Sequence, residues 1–435
     1  MNKTITKPKR IEAVVTPPGD KSISHRAALL NSISEGNARL SNFCVGDDRN
    51  SMIGCLRALG VSISPIPGEP DDFEVYGRGL NGLEEPFDVL HAGNSGTTMR
   101  LISGLLAGQN FFSVITGDDS LRTRPMRRIT EPLTRMGAVI DGRNDGSLAP
   151  LYFKGGQLTG IEYDMPVASA QLKSCVLIAA LYSVGQTVLH QPAISRDHTE
   201  LMMKAMGVDI ESNGLDLTIA PNTLTSLNVN IPSDTSSAAF WMVAACCHPD
   251  AVITIQAMGM NPTRIGVIEV LRNMGGNIEQ ANERYEGGEP VADLTISSSK
   301  LESTEISGDL IPKLVDELPI LSLAACFAAG KTIIKDAGEL RVKESDRISA
   351  TLDSLSKLGA EIREFSDGLE ITGGKQLLGS EIKSHGDHRI AMTNGIAGLL
   401  AQGTTYIEGA ESAAVSYPTF WDTIESLQKS STKSI

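Results

Sequence analysis

The sequence predicts an α/β protein of two domains, each built from three copies of a small helix-and-strand unit. Three observations carry this. The chain has 435 residues, past the roughly 250–300 at which a single hydrophobic core stops growing. A pattern of apolar helix, glycine turn, short strand, polar stretch and second helix ending in Leu-Gly or Met-Gly recurs along it. The runs after the glycines, such as TVLHQ and TIIKD, carry β-branched residues in partial alternation, as strands do.

The copies fall at 36–60, 108–137, 185–207, 248–275 and 330–359, with a partial sixth that starts at Gly403 and runs out at Leu427. Their spacing is about 75 residues, too long for a common solenoid repeat and suited to a small α/β subdomain. Six units over this length divide as three and three, with a boundary in the polar turn at 233–236. Each glycine after a helical run, Gly108 included, is expected to be a left-handed C-cap.

Composition narrows the function classes. Hydrophobic residues make up 41% and charged residues 21%, a globular balance and not that of a disordered chain. A net charge of −14 with 4% aromatics argues against nucleic-acid binding, which needs basic patches and stacking platforms. No apolar run follows the basic start MNKTITKPKR, so no secretory signal is expected. The longest apolar runs, 238–247 and 318–329, are too short to span a membrane and predict buried helices. The six cysteines form no C-x-x-C pair and no cluster with histidine. They are expected as buried thiols in a reducing cytosol.

Any anionic ligand must then be met by local cations. Pro18-Gly19-Asp20-Lys21-Ser22-Ile23-Ser24-His25-Arg26 leads into AALLNSIS, placing Lys21, Ser22 and Arg26 at a helix start, where free N–H groups favour an anion. Ser22 either caps that helix or meets a ligand. The run His91-Ala92-Gly93-Asn94-Ser95-Gly96-Thr97-Thr98-Met99-Arg100 repeats the layout, its glycines allowing close backbone approach. In Leu121-Arg122-Thr123-Arg124-Pro125-Met126-Arg127-Arg128, Arg124 is expected to be extended by the following proline and to point inward. Arg127, Arg128 and Arg135 belong to a solvated face.

Ser169-Ala170-Gln171-Leu172-Lys173-Ser174 and Ser195-Arg196-Asp197-His198 open two further helices. Ser169 and Gln171 are uncharged donors suited to a sugar-like ligand, although Ser169 also suits a helix cap. Ser195 and Arg196 suit a phosphate. In the C-terminal half, Asp316 and Glu317 precede the apolar run LPILSLAACFAAG, as caps or with one of them as a base shielded from water. In Arg341-Val342-Lys343-Glu344-Ser345-Asp346-Arg347, Lys343 and Arg347 would share one helix face around an anion. His385-Gly386-Asp387-His388-Arg389 invites a metal reading but lacks a spaced third ligand, so no metal is expected.

These motifs, in order PGDKSISHR, GNSGTTMR, RTRPM, SAQLKS, SRDHTE, VDELP, RVKESDR and DHRIAM, resemble the enolpyruvylshikimate-phosphate synthase family of enolpyruvyl transferases from about Ile11 to Leu427. The resemblance implies two domains of three βαβαββ-type units: an N-terminal one at 21–234, and a C-terminal one at 235–435 joined by 1–20. It also implies a cleft between them that closes on substrate, and no metal or organic cofactor. The implied reaction moves the enolpyruvyl group of phosphoenolpyruvate onto the 5-hydroxyl of shikimate 3-phosphate and releases phosphate, within chorismate biosynthesis.

Carried over by position, Lys21, Ser22, Arg26, Ser169, Gln171, Ser195, Arg196, Asp316 and Lys343 would bind shikimate 3-phosphate. Lys21, Gly96, Arg124, Gln171, Arg347, His388 and Arg389 would bind phosphoenolpyruvate. Asp316 would accept the hydroxyl proton, Glu344 would protonate the methylene carbon, and Lys21 would touch both substrates. A cytoplasmic monomer without nucleic-acid or membrane partners is expected, with a phosphoenolpyruvate pocket that also admits glyphosate. Val415 stands where some members carry a lysine, Glu339 where some carry an amide, and Ala170 where some carry a second serine. The alternative is the related transferase acting on UDP-N-acetylglucosamine, which would show K-N-A near the N-terminus and a loop cysteine; the chain has Lys21-Ser22-Ile23 and no cysteine around Leu121.

Overall fold

The computed structural model describes residues 1–430. The chain packs as two units, each with its own hydrophobic core. One comprises Gly19–Pro232 and the short segment Tyr285–Glu289. The other comprises Met1–Pro18, Ser233–Arg284 and the chain from Pro290 onward.

The repeated segment is βαβαββ. One copy runs through strand Leu90–His91, helix Gly96–Ala107, strand Phe112–Thr116, helix Arg127–Arg135 and strands Val139–Gly142 and Leu148–Lys154. In its sheet the first strand lies parallel to Phe112–Thr116, and the remaining pairings are antiparallel. The same order recurs around Thr187–His190 and Lys331–Ile334. The sheets of the other three copies each take a strand from elsewhere in the chain. Val229–Asn230 joins Asn37–Ser41, and Ile11–Val15 joins Ala251–Gly259, both in parallel. Asn2–Thr6 pairs antiparallel with Thr404–Glu408, completing the copy whose sequence pattern runs out at Leu427.

The first helix of each copy is buried along nearly its whole length: Lys21–Ser32, Gly96–Ala107 and Ala170–Ala180 in one unit, Thr235–Cys247, Leu318–Phe327 and His388–Leu400 in the other. A helix with no solvated face has to be surrounded by core. Small residues allow the close approach this needs, and a Cβ on Gly104 would lie 2.3 Å from the Cys175 carbonyl oxygen. Second helices such as Arg127–Arg135 bury one stripe, Ile129, Thr130, Pro132 and Leu133, and solvate the rest.

Left-handed glycines end the second helices, with φ of 85° at Gly60, 102° at Gly137, 91° at Gly207, 90° at Gly275 and 92° at Gly359. Gly108 departs from the expectation: it closes its helix at φ −90°, in the right-handed region. Its requirement is steric, because a Cβ there would sit 2.3 Å from the Tyr182 ring. All six cysteines are free, and all but Cys247 are buried. Burial pushes the Cys44, Cys55 and Cys326 thiols up to about 12, which leaves them poor nucleophiles. Among the described residues no helix is long and apolar enough to cross a membrane.

Candidate active site

In the unit of Gly19–Pro232, the polar motifs sit at the N-terminal ends of the three buried helices. Asp20, and not Ser22, caps Lys21–Ser32: its Oδ1 accepts from the Ile23 N–H at 2.9 Å, which releases the Ser22 hydroxyl from that task. The Lys21 ammonium lies 2.9 Å from Asp48 Oδ2. Burial opposes the Asp48 charge, but Lys21 outweighs it and holds the carboxyl below its usual range. Arg26 is 3% exposed. Its Nε donates to Thr199 Oγ1 at 2.6 Å, and its two terminal nitrogens to the Ser22 carbonyl at 2.9 Å and Ser174 Oγ at 2.7 Å.

Ser95 caps the helix Gly96–Ala107 through the Thr98 N–H at 3.2 Å. A Cβ on Gly96 would lie 2.9 Å from a terminal nitrogen of Arg100 and 3.6 Å from one of Arg124, so two guanidinium groups border this helix start. Arg124 is extended, at φ −77° and ψ 136°, as the following proline requires, and it donates to Asn94 Oδ1 at 2.6 Å. Arg100 was not singled out from the sequence. It is 7% exposed, donates to Gln171 Oε1 at 2.5 Å, and its Nε is buried with no hydrogen-bond partner among the described residues. Burial, then Arg128 and Arg124, push Arg100 down to about 10. Arg128 is thus not merely solvated, as the sequence suggested; its charge reaches the buried arginine. Gathered cations and an unpartnered donor together favour an anion.

Gln171 Nε2 donates to Thr97 Oγ1 at 3.0 Å, so its amide is oriented from both ends. Ser169 serves as the cap of Ala170–Ala180, accepting from the Leu172 N–H at 3.3 Å. Ser195 and Arg196 are half-buried in the loop before the helix His198–Ala205.

In the other unit the centre is Arg347, whose side chain is 1% exposed. Its Nε contacts Asp387 Oδ2 at 2.9 Å, and its terminal nitrogens contact Asp316 Oδ1 at 3.0 Å and Glu344 Oε2 at 2.5 Å. Burial works against the guanidinium charge, yet the three carboxylates, Asp387 foremost, raise it. The expected helix face shared by Lys343 and Arg347 is corrected here. The helix begins at Arg347, capped by Asp346, while Lys343 ends the preceding turn Gly338–Val342 in extended backbone. Lys343 Nζ still lies 3.9 Å from Asp316 Oδ1, besides pairing with Glu339 at 2.6 Å.

Asp316 and Glu317 differ in kind. Glu317 is buried and held by the Ser236 hydroxyl, whereas Asp316 keeps 28% of its side chain exposed. Asp387, which the sequence offered only in a metal reading, is fully buried and caps His388–Leu400 through the Arg389 N–H at 2.8 Å. Burial, then Arg389, push His388 down to about 4. Arg389 Nε is buried without a hydrogen-bond partner among the described residues. His385 turns aside to Asp353 Oδ2 at 3.1 Å. Among the described residues no three His, Cys, Asp or Glu side chains are placed to hold a metal ion.

The profile of the EPSP synthase (3-phosphoshikimate 1-carboxyvinyltransferase) family matches residues 5–424. The chain is 49% identical over 425 residues to the 3-phosphoshikimate 1-carboxyvinyltransferase of Herpetosiphon aurantiacus, covering 97% of this chain and 98% of that one. It is 50% identical over 431 residues to the protein of that name from Chloroflexus aurantiacus, covering 98% and 99%. The solved EPSP synthase of Acinetobacter baumannii superposes with a TM-score of 0.92 at 42% identity, over 98% of both chains. With a profile and relatives that span nearly its whole length, the chain belongs to the EPSP synthase (3-phosphoshikimate 1-carboxyvinyltransferase) family.

Proposed function

We propose that the chain performs the transfer its family is named for, with the two sets of residues described above acting on one substrate pair. The 5-hydroxyl oxygen of shikimate 3-phosphate adds to C2 of phosphoenolpyruvate as C3 takes a proton. Phosphate then leaves with C–O cleavage as C3 gives a proton back, re-forming the C2=C3 double bond in the product enol ether. Atoms and charge balance without a cofactor. The reaction belongs to the shikimate route to aromatic amino acids.

The roles divide by chemistry. Lys21, Ser22, Arg26, Ser169, Gln171, Ser195, Arg196, Asp316 and Lys343 take the phosphorylated acceptor. Lys21, Gly96, Arg124, Gln171, Arg347, His388 and Arg389 take phosphoenolpyruvate. Asp316 receives the hydroxyl proton, and Glu344 serves the methylene carbon. The observation that carries this reading is Arg347 holding Asp316 and Glu344, at 3.0 and 2.5 Å. One buried cation thereby positions the acid and the base of an addition–elimination, which an anion carrier would not need. The reading includes closure of a cleft between the units on the substrates, a monomer, a cytoplasmic location and glyphosate binding beside Gly96.

Phosphate release is the test. It is expected with phosphoenolpyruvate and shikimate 3-phosphate and not with UDP-N-acetylglucosamine; release with the sugar nucleotide alone would overturn the reading. Asp316→Asn is expected to lower kcat by roughly 10²- to 10⁴-fold, the usual worth of a general base, while a full rate would remove Asp316 from the chemistry.

A further inference from the structure

A buried ion pair outside both substrate sets lies under the loop that carries Ser195 and Arg196. Lys173 and Glu200 have side chains 1% and 5% exposed, and Lys173 Nζ lies 2.7 Å from Glu200 Oε1. The ammonium also donates to Gln191 Oε1 at 3.0 Å and to the main-chain carbonyl of Ser195 at 3.2 Å. Ser195 Oγ donates to the same Gln191 oxygen at 3.2 Å. The ammonium thus combines one ion pair with two hydrogen bonds to the loop.

A buried ion pair does not by itself explain such an arrangement. The desolvation penalty can match the attraction, and an apolar pair of similar volume often does as well. What an apolar pair cannot supply is a donor to the main chain of a loop. Lys173 stands on the helix Ala170–Ala180, one turn from Ser169 and two residues from Gln171. It thus ties the helix start that carries two proposed acceptor contacts to the loop that carries two more.

We propose that Lys173 is a positioning residue for the phosphate of the acceptor: through Gln191 and the Ser195 carbonyl it sets loop 191–197 so that Ser195 and Arg196 meet that phosphate. This rests on the reading that Ser195 and Arg196 serve the acceptor. Glu200 holds the ammonium in place.

Steady-state kinetics with both substrates, together with thermal denaturation, tests the proposal on Lys173→Met, Lys173→Met/Glu200→Gln and Ser195→Ala. Lys173→Met is expected to raise KM for shikimate 3-phosphate about tenfold, as loss of a charge-assisted hydrogen bond would, with KM for phosphoenolpyruvate unchanged. The double variant, which removes both charges of the pair, is expected to recover the melting temperature and keep the raised KM. Recovery of both, or an equal rise in both KM values, would overturn the proposal, as would a melting temperature that stays low, which would mark the pair as core structure. Ser195→Ala isolates the underlying reading: unchanged acceptor KM there, beside a raised one in the double variant, would overturn the placement of the phosphate and not the coupling of Lys173 to the loop.

Discussion

At Gly96 a guanidinium already stands where a side chain would go. A methyl group at 2.9 Å from an Arg100 nitrogen is tighter than ordinary contact, and Gly96→Ala would push Arg100 or Arg124 outward. Glyphosate is slightly longer than phosphoenolpyruvate, so the inhibitor should lose more: inhibition assays on Gly96→Ala are expected to show a larger rise in Ki than in KM. Equal rises would refute the pocket assignment. His25 offers a pH prediction. Burial foremost holds it down at about 4, against the opposing effect of Asp48, while an unfolded chain has histidine near 6.5. The neutral form is the folded form, so its stabilisation is present above about pH 6.5 and is lost as pH falls toward 4. Thermal denaturation across that range should show wild type losing stability relative to His25→Gln. The residues that carry motifs were legible in the sequence because type and spacing announce them. Asp48 was not, and Asp387 drew only a metal reading, since each gains its role from a partner supplied by folding: Lys21 from the start of the preceding helix, and Arg347 from 40 residues upstream. Arg100 stood within a quoted motif, one turn after Gly96, and helical spacing alone could have raised it.

The elements follow a rule the sequence does state. A helix with no polar face is buried, so its first turns and the residues just before it are the parts that can meet a ligand. This made the positions of Gly96, Ser169 and His388 readable. It failed at Lys343, because RVKESDR is dense in charge and has no apolar period to show where its helix begins; the Asp346 cap decides that, at Arg347. The borrowed strand Val229–Asn230 was hidden for a related reason, since a strand of two residues carries no alternation to detect. Helix contact also gives a prediction. Gly104 permits Gly96–Ala107 to rest against Ala170–Ala180 with 2.3 Å from its would-be Cβ to a carbonyl oxygen. Gly104→Ala must therefore part the helices that carry Arg100 and Gln171. A loss of roughly 1–3 kcal/mol in urea denaturation is expected, the usual cost of overpacking, together with a raised KM for phosphoenolpyruvate. An unchanged KM would uncouple that contact from the site.

For the molecule as a whole, six copies of one segment divide into two units, and three of the copies take a strand from elsewhere in the chain. The length and recurrence of the pattern were enough to foresee three copies in each. Which strands are lent was set by three-dimensional neighbours that no single window of sequence contains. The loan at Asn2–Thr6 has a consequence of its own. Its Lys3 lies 2.6 Å from Glu425, and the Thr6 carbonyl accepts from Gln428 at 3.1 Å, so the opening and final segments of the polypeptide are neighbours on one edge. Between Lys3 and Gln428 the backbone comes back to its own starting edge. A short flexible linker joining these two segments, with new ends opened in an exposed turn such as the one at Gly214, should yield a circular permutant that folds and turns over. Failure to fold with a linker of adequate length would mean that the order of synthesis, and not the finished contacts alone, builds this protein.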